Sequence, residues 1–244
     1  MTYGLKITND DGYVTLADTH SYLRHEETLT SSNATYMFGN RYYWSTTYSG
    51  ASFPLVFIYS NGYWASIIDT FRNASGTWQI HVWTANGQST NTLNNVEAYV
   101  FTSGAEYSAA DPGYGLRIND SSGNRVYNSD FDLPRIKGFS TIPAINAACP
   151  ACSSNGTSAY DQTSTTHGIS GLTKPAATFY ANGYAARNCS GGFGYWRVGY
   201  QITSTQILGG WVYGGLVSGW TTSPSPNYLA PASYPAGIID GNDY

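Results

Sequence analysis

Apolar and polar residues alternate with a period of two along much of this chain, and Gly-, Asn- and Asp-rich breaks punctuate the alternation. Trp78, Ile80 and Val82 alternate with Gln79, His81 and Trp83, and Trp196, Val198 and Tyr200 alternate with Arg197, Gly199 and Gln201. A strand sends successive side chains to opposite faces, so each set predicts one inward face. Near the start, Tyr3, Leu5 and Ile7 share a face, residues 9–12 (NDDG) supply turn chemistry, and a second apolar run begins at Val14. That pattern predicts a β-hairpin. Asn61-Gly62 and Asn182-Gly183 predict further turns, because Asn and Gly tolerate positive φ. The best helical candidate, residues 144–152, is short and sits among Pro143 and Pro150.

The pattern also occurs twice. YGLKITNDDGYVTL from Tyr3 answers to YGLRINDSSGNRVY from Tyr114, 111 positions on. PLVFIYSNGYWA from Pro54 answers to PAATFYANGYAA from Pro175, 121 positions on, and GTWQIHVWT from Gly76 answers to GYWRVGYQI from Gly194, 118 positions on. Three echoes in the same order predict a duplicated unit with loops of unequal length. The expected fold class is all-β, as two tandem, internally duplicated β-sandwich modules with a Pro-rich C-terminal arm. Module one spans 1–110 and module two 111–220, with an insertion around 139–174 and a boundary near the Asp-Pro-Gly of 108–113. Residues 221–244 form the expected arm, with Tyr228, Leu229, Tyr234, Ile238 and Ile239 as anchors along a neighbouring subunit.

Composition reinforces the strand reading. The chain carries 22 Tyr, 7 Trp and 27 Gly with only 11% charged residues, a vocabulary of pleated surfaces and turns rather than of helices. A net charge of −4 argues against binding nucleic acid through its phosphates. No stretch is long enough for a membrane-spanning helix, and no basic, apolar leader precedes the first strand, so assembly in the cytoplasm is expected. Surfaces rich in Ser, Thr, Asn, Gly and Tyr resemble those of extracellular adhesins. Assembly inside a cell and work outside it is ordinary for a virion protein.

Motifs of catalysis are missing from the sequence. Glu26 and Glu27 are neighbours, and neighbours on a strand face opposite ways and cannot flank one bond. There is no Gly-x-Ser-x-Gly elbow, no phosphate-cradling Gly-Lys-Thr loop and no His-Glu-x-x-His helix. Cys149 and Cys152 form a CPAC motif, and with Cys189 and His167 they could make a tetrahedral zinc site. The second half-site lacks paired spacing and module one has no cysteine, so free thiols or a local disulfide are expected instead, with no metal and no cofactor. Large aromatics remain as candidates for a binding surface: Trp83, Trp211, Tyr213 and Trp220, with Trp64 beside them. Trp83 faces away from Trp78 and its echo is Gln201, so an interface is expected to account for it. Trp78 and Trp196, in shared phase, are expected in the core.

The opening YGLKITNDDG, its copy YGLRINDSSGNRVYNSD and the preceding VEAYVFTSG resemble segments of tail-tip and tail-fibre proteins of long-tailed bacteriophages. The resemblance covers the hairpin at each module's start and the strands around 54–64, 76–84 and 96–102. It implies a structural virion protein of the tail, bound to other tail proteins, and the missing catalytic motifs make it non-enzymatic; few charges and module edges that something must cover add the expectation of a homo-oligomer. Contact with a bacterial surface glycan or protein receptor is a further expectation. The alternative is a carbohydrate-binding adhesin module or a polysaccharide depolymerase.

Overall fold

The computed structural model describes residues 6–8, 14–17, 22–38, 41–84, 95–103, 116–119, 122–123, 125–128, 132–145, 160–179, 184–189, 192–217 and 233–244. The first half of the chain supplies β1 (Lys6–Thr8), β2 (Val14–Ala17), β3 (Arg24–Leu29), β4 (Ala34–Phe38), β5 (Arg41–Ser45), β6 (Leu55–Tyr59), β7 (Ala65–Arg72), β8 (Trp78–Thr84) and β9 (Glu97–Thr102). The second half supplies β10 (Arg117–Asn119), β11 (Arg125–Asn128), β12 (Gly138–Ile142), β13 (Tyr160–Thr166), β14 (Pro175–Ala177) and β15 (Tyr184–Cys189). It ends with β16 (Gly192–Ile202), β17 (Gln206–Val217) and β18 (Tyr234–Asp240). The fold is all-β, and the helical pieces among the described residues are two 3-10 turns, Ser31–Asn33 and Gly241–Asp243.

Two antiparallel sheets form the sandwich. One has six strands in the order β12-β18-β14-β6-β9-β3; the other runs β13-β17-β16-β7-β8-β5-β4, with β15 also paired to β16. Between them lies one continuous core, with Trp44, Val56, Ile58, Ile80 and Val82 from the first half against Trp196, Val198, Tyr200, Trp211 and Ile238 from the second. The period-two alternation is therefore borne out in both echoes. Trp78, Ile80 and Val82 are all buried, and so are Trp196, Val198 and Tyr200.

The two halves do not make separate sandwiches. Each sheet contains strands from both, joined antiparallel at β6–β14 (Ile58 opposite Ala177) and at β7–β16 (Ala65 opposite Tyr200). The physical reason is the edge: three strands from each half would leave β6 and β14 with unpaired N–H and C=O groups, and pairing them removes both edges. Strands β6 and β14 carry the second echo, so equivalent segments meet each other, the arrangement that a two-fold axis between the halves would give. The other sheet departs from that symmetry, because β7 meets β16 rather than its echo β15. The expected boundary at 108–113 lies outside the described residues.

The YGL echo is matched in backbone register. Lys6, Ile7 and Thr8 oppose Ala17, Leu16 and Val14; Arg117, Ile118 and Asn119 oppose Asn128, Tyr127 and Arg125. Every pair is displaced by 111 positions, including the bulge before the last one. The predicted Asn61-Gly62 turn is present, with φ of 37° and 81°; Asn182-Gly183 lies outside the described residues.

The expected C-terminal arm is corrected from residue 234 onward. Strand β18 lies inside the six-stranded sheet between β12 and β14, and Ile238 and Ile239 are completely buried. Ile238 faces the main core, whereas Ile239 joins Phe57, Tyr99, Phe101 and Ala176 on the sheet's other side. A strand buried on both faces shows no alternation, which is why the sequence pattern reads as an arm. The terminal Tyr244 packs on that second cluster, 5.1 Å from the rings of both His25 and Phe101. Tyr228 and Leu229 lie outside the described residues.

Candidate functional site

Of the aromatics expected at a binding surface, Trp83 and Trp211 are fully buried, and Trp64 is nearly so. Trp211 belongs to the main core beside Trp196. Trp83 does face away from that core, but it packs with Trp64 and Val212. The approach depends on Gly199 of β16, where a Cβ would lie 2.9 Å from Val212, 3.2 Å from Trp64 and 3.4 Å from Trp83. The interface that explains Trp83 is thus the seam between the two halves of its own chain. Neither Trp83 nor Trp211 offers a face to a ligand, which corrects the sequence expectation. The Tyr213 side chain and Trp220 lie outside the described residues.

Exposed aromatic surface lies elsewhere. Tyr36 is 56% exposed, Phe53 55% and Phe139 74%. Of these, Phe53 sits on the most heavily braced ground. Its ring meets the buried Trp78 edge-on at 5.3 Å. Residues 46–54 around it are tied to β8, since Thr46 N–H donates to the Trp78 carbonyl (2.9 Å) and the Trp78 indole N–H donates to the Gly50 carbonyl (2.9 Å). Arg72 donates from Nη2 to the Ser49 carbonyl (2.5 Å) and from Nε to the Gly76 carbonyl (2.7 Å), which links the loop to the β7–β8 turn. Thr47 N–H donates to Glu27 Oε1 at 2.6 Å, and the Tyr48 hydroxyl to the Ser103 carbonyl at 3.3 Å. A Cβ at Gly50 would collide with the Tyr48 ring, so the glycine lets that ring lie across the loop backbone. Sequence reasoning missed Phe53 because it ranked aromatics by size and strand phase, and Phe53 is a loop residue with no phase.

The charged groups are arranged for structure. Lys174 reaches both Glu97 oxygens (2.9 and 3.1 Å), and the Tyr99 hydroxyl donates to the same carboxylate. Burial and that carboxylate push the Tyr99 phenol well above its ordinary value, the opposite of an activated base. Asp240 accepts from Thr173 N–H (2.8 Å), Lys174 N–H (2.9 Å), Asn242 N–H (3.1 Å) and the Thr173 hydroxyl (3.0 Å). Burial alone would raise its pKa, but these bonds together hold it below the ordinary aspartate value. Glu26 and Glu27 go to different partners: Glu26 to Arg24 and Thr102, Glu27 to Thr47.

Histidine chemistry is similarly committed. His167 Nδ1 accepts from Ile169 N–H (3.1 Å), which leaves Nε2 to donate to the Thr203 carbonyl (3.0 Å). A metal there would have to displace a backbone hydrogen bond. Cys149, Cys152 and the Cys189 side chain lie outside the described residues, and among those described no group of His, Cys, Asp and Glu is gathered to hold a metal ion. His81 stands between the rings of Tyr43 (5.5 Å) and Phe71 (4.9 Å), and burial lowers its pKa.

No protein-family model, no curated protein and no solved structure matches the chain. What the chain's own residues offer is a densely packed sandwich and a loop that presents an aromatic ring. Among the described residues no helix is long and apolar enough to cross a membrane.

Proposed function

We propose that this protein is a structural component of a bacteriophage tail, in its tip or fibre region, with a share in attachment to the host surface. The observation that carries the reading is the pairing of β1 with β2 and of β10 with β11: these parts of the segments that resemble tail proteins recur with one register and one bulge. A scaffold of this kind works by geometry rather than by chemistry. Its partners are other tail proteins and further copies of itself, its place is the virion after assembly in the host cytoplasm, and it performs no catalysis. Strand edges support the assembly half. At β4, the outermost strand of its sheet among the described residues, Thr35, Tyr36 and Met37 are exposed without a lysine or proline to discourage pairing.

The test is location. Antibody raised against the recombinant chain should label tails in electron micrographs of particles induced from cells that carry its gene, and the chain should co-purify with those particles. Unlabelled tails would sink the proposal. A carbohydrate-binding module is the second reading, favoured by the exposed Phe53 on its braced loop; such a module would bind glycan and leave tails unlabelled.

A further inference from the structure

We propose that the loop of residues 46–54 and the turn of residues 73–77 form a binding site for an uncharged saccharide, with Phe53 as its stacking platform. The inference deepens the attachment half of the function proposed above and rests on it. Three properties of this end of the sandwich lead there.

The first is rigidity. Residues 46–54 run without strand pairing, yet the backbone of Thr46, Thr47, Ser49 and Gly50 is held by bonds to Trp78, Glu27 and Arg72, and the Phe53 ring rests on Trp78. The turn is fixed too: Thr77 N–H donates to the Asn73 side chain (3.0 Å), and Asn73 N–H to the Thr77 carbonyl (2.9 Å). A loop already held in place loses little conformational freedom on binding, so weak contacts with a sugar are not spent on ordering it.

The second is the platform itself. Phe53 is more than half exposed, although Trp78 below it is buried and could have taken a covering side chain. An aromatic ring held upright by a second ring offers a flat apolar face, which matches the C–H face of a pyranose. Ser49 and Ser75 stand exposed on the same two segments and supply hydroxyls for the polar edge of a sugar. A few polar groups around an apolar surface is the usual make-up of a small-molecule site.

The third is charge. Segments 46–54 and 73–77 contain no Lys, Arg, Asp or Glu. Among the described residues, the ionic side chains that reach them are one of each sign, Arg72 on two carbonyls and Glu27 on Thr47. Among the described residues the cation at these segments is thus a single Arg72, opposed in sign by Glu27, and a site without net charge suits a neutral polymer over a teichoic acid or a lipid headgroup.

The experiment uses the full chain, immobilised neutral O-antigen polysaccharides and, beside them, a phosphate-bearing teichoic acid. The expected result is retention on at least one neutral polysaccharide, weakened about tenfold or more in Phe53→Ala, which removes one stacking contact. Phe53→Trp should bind at least as well as the native chain. Phe139→Ala, which removes a more exposed ring at the far edge of the other sheet, should bind like the native chain. An unchanged melting temperature in Phe53→Ala separates lost contact from lost folding. The proposal is overturned by absence of retention on every neutral polysaccharide, by equal binding of Phe53→Ala, by preference for the teichoic acid, or by protease-sensitive binding to intact cells. Each of these outcomes leaves antibody labelling of tails untouched, so the site and the tail reading fail separately.

Discussion

Trp83, from the first half of the chain, lies across Gly199, from the second, close enough that a Cβ on the glycine would stand 3.4 Å from the indole. The contact rivets the two halves on the outer side of their shared sheet, where Ser66 also donates to the Val198 carbonyl at 2.7 Å. Gly199→Ala should destabilise the protein by about 1–3 kcal/mol through overpacking against Val212 and Trp64. Trp83→Ala should cost about 3–5 kcal/mol. Urea denaturation of both variants measures this, and near-native stability of either would mean that the seam is held elsewhere.

Because both sheets are shared, the halves should unfold together. Calorimetry of the whole chain should give one transition whose calorimetric and van't Hoff enthalpies agree. A fragment of residues 1–110 exposes the inner edge of β6 and loses the second half's side of the core, so it should show no cooperative melting. A folded fragment would restore the picture of two independent modules.

Much of the fold is legible in the sequence, and the limits are physical. Alternation reveals Trp78–Ile80–Val82 and Trp196–Val198–Tyr200 because each of those strands faces the core on one side through these residues. It fails at Ile238 and Ile239, where both faces are buried and no polar partner marks a surface. The echoes reveal that two similar halves exist, but self-similarity is silent about whether their edges meet. Trp83 is legible as an anomaly, an outward Trp without a counterpart. Only the glycine opposite shows that its interface is internal. Phe53 has no periodicity to announce it, since it lies in a loop and its ring rests on Trp78 of a distant strand.

The C-terminal strand gives a prediction opposite to that for an arm. Deleting residues 234–244 removes β18 from between β12 and β14, together with Asp240 and its four hydrogen bonds. Burial of Ile238 and Ile239 alone contributes about 1.5–3 kcal/mol each. The truncated protein should therefore be insoluble or lack a melting transition, as circular dichroism would record. A truncated chain that melts like the native one would mean that β18 is dispensable.

Acid should destabilise the protein in two steps, and the sign follows from where the shifted groups stand. His25 is packed between Phe101 and Tyr244, and its burial lowers its pKa despite the opposing carboxylates of Asp132 and Glu26. Burial lowers His81 likewise, although Asp69 opposes it. A histidine with a depressed folded pKa takes up its proton more readily when unfolded. Its contribution is complete above the unfolded value of about 6.5 and is lost as pH falls through the lower folded value. Melting temperature should therefore drop between pH 7 and pH 5. The second step lies below about pH 3.9, the unfolded aspartate value, where Asp240 loses the advantage its hydrogen bonds give the charged form. Glu27 works in the other direction: burial raises its pKa, so the folded state gains from its protonation as pH falls. That gain partly offsets the histidine loss near pH 5, and the double variant His25→Gln, His81→Gln separates the two. Without the histidines, melting between pH 7 and pH 5 should be flat or rise slightly. If the native protein already behaves that way, burial of His25 and His81 carries no proton linkage, and the first step is wrong.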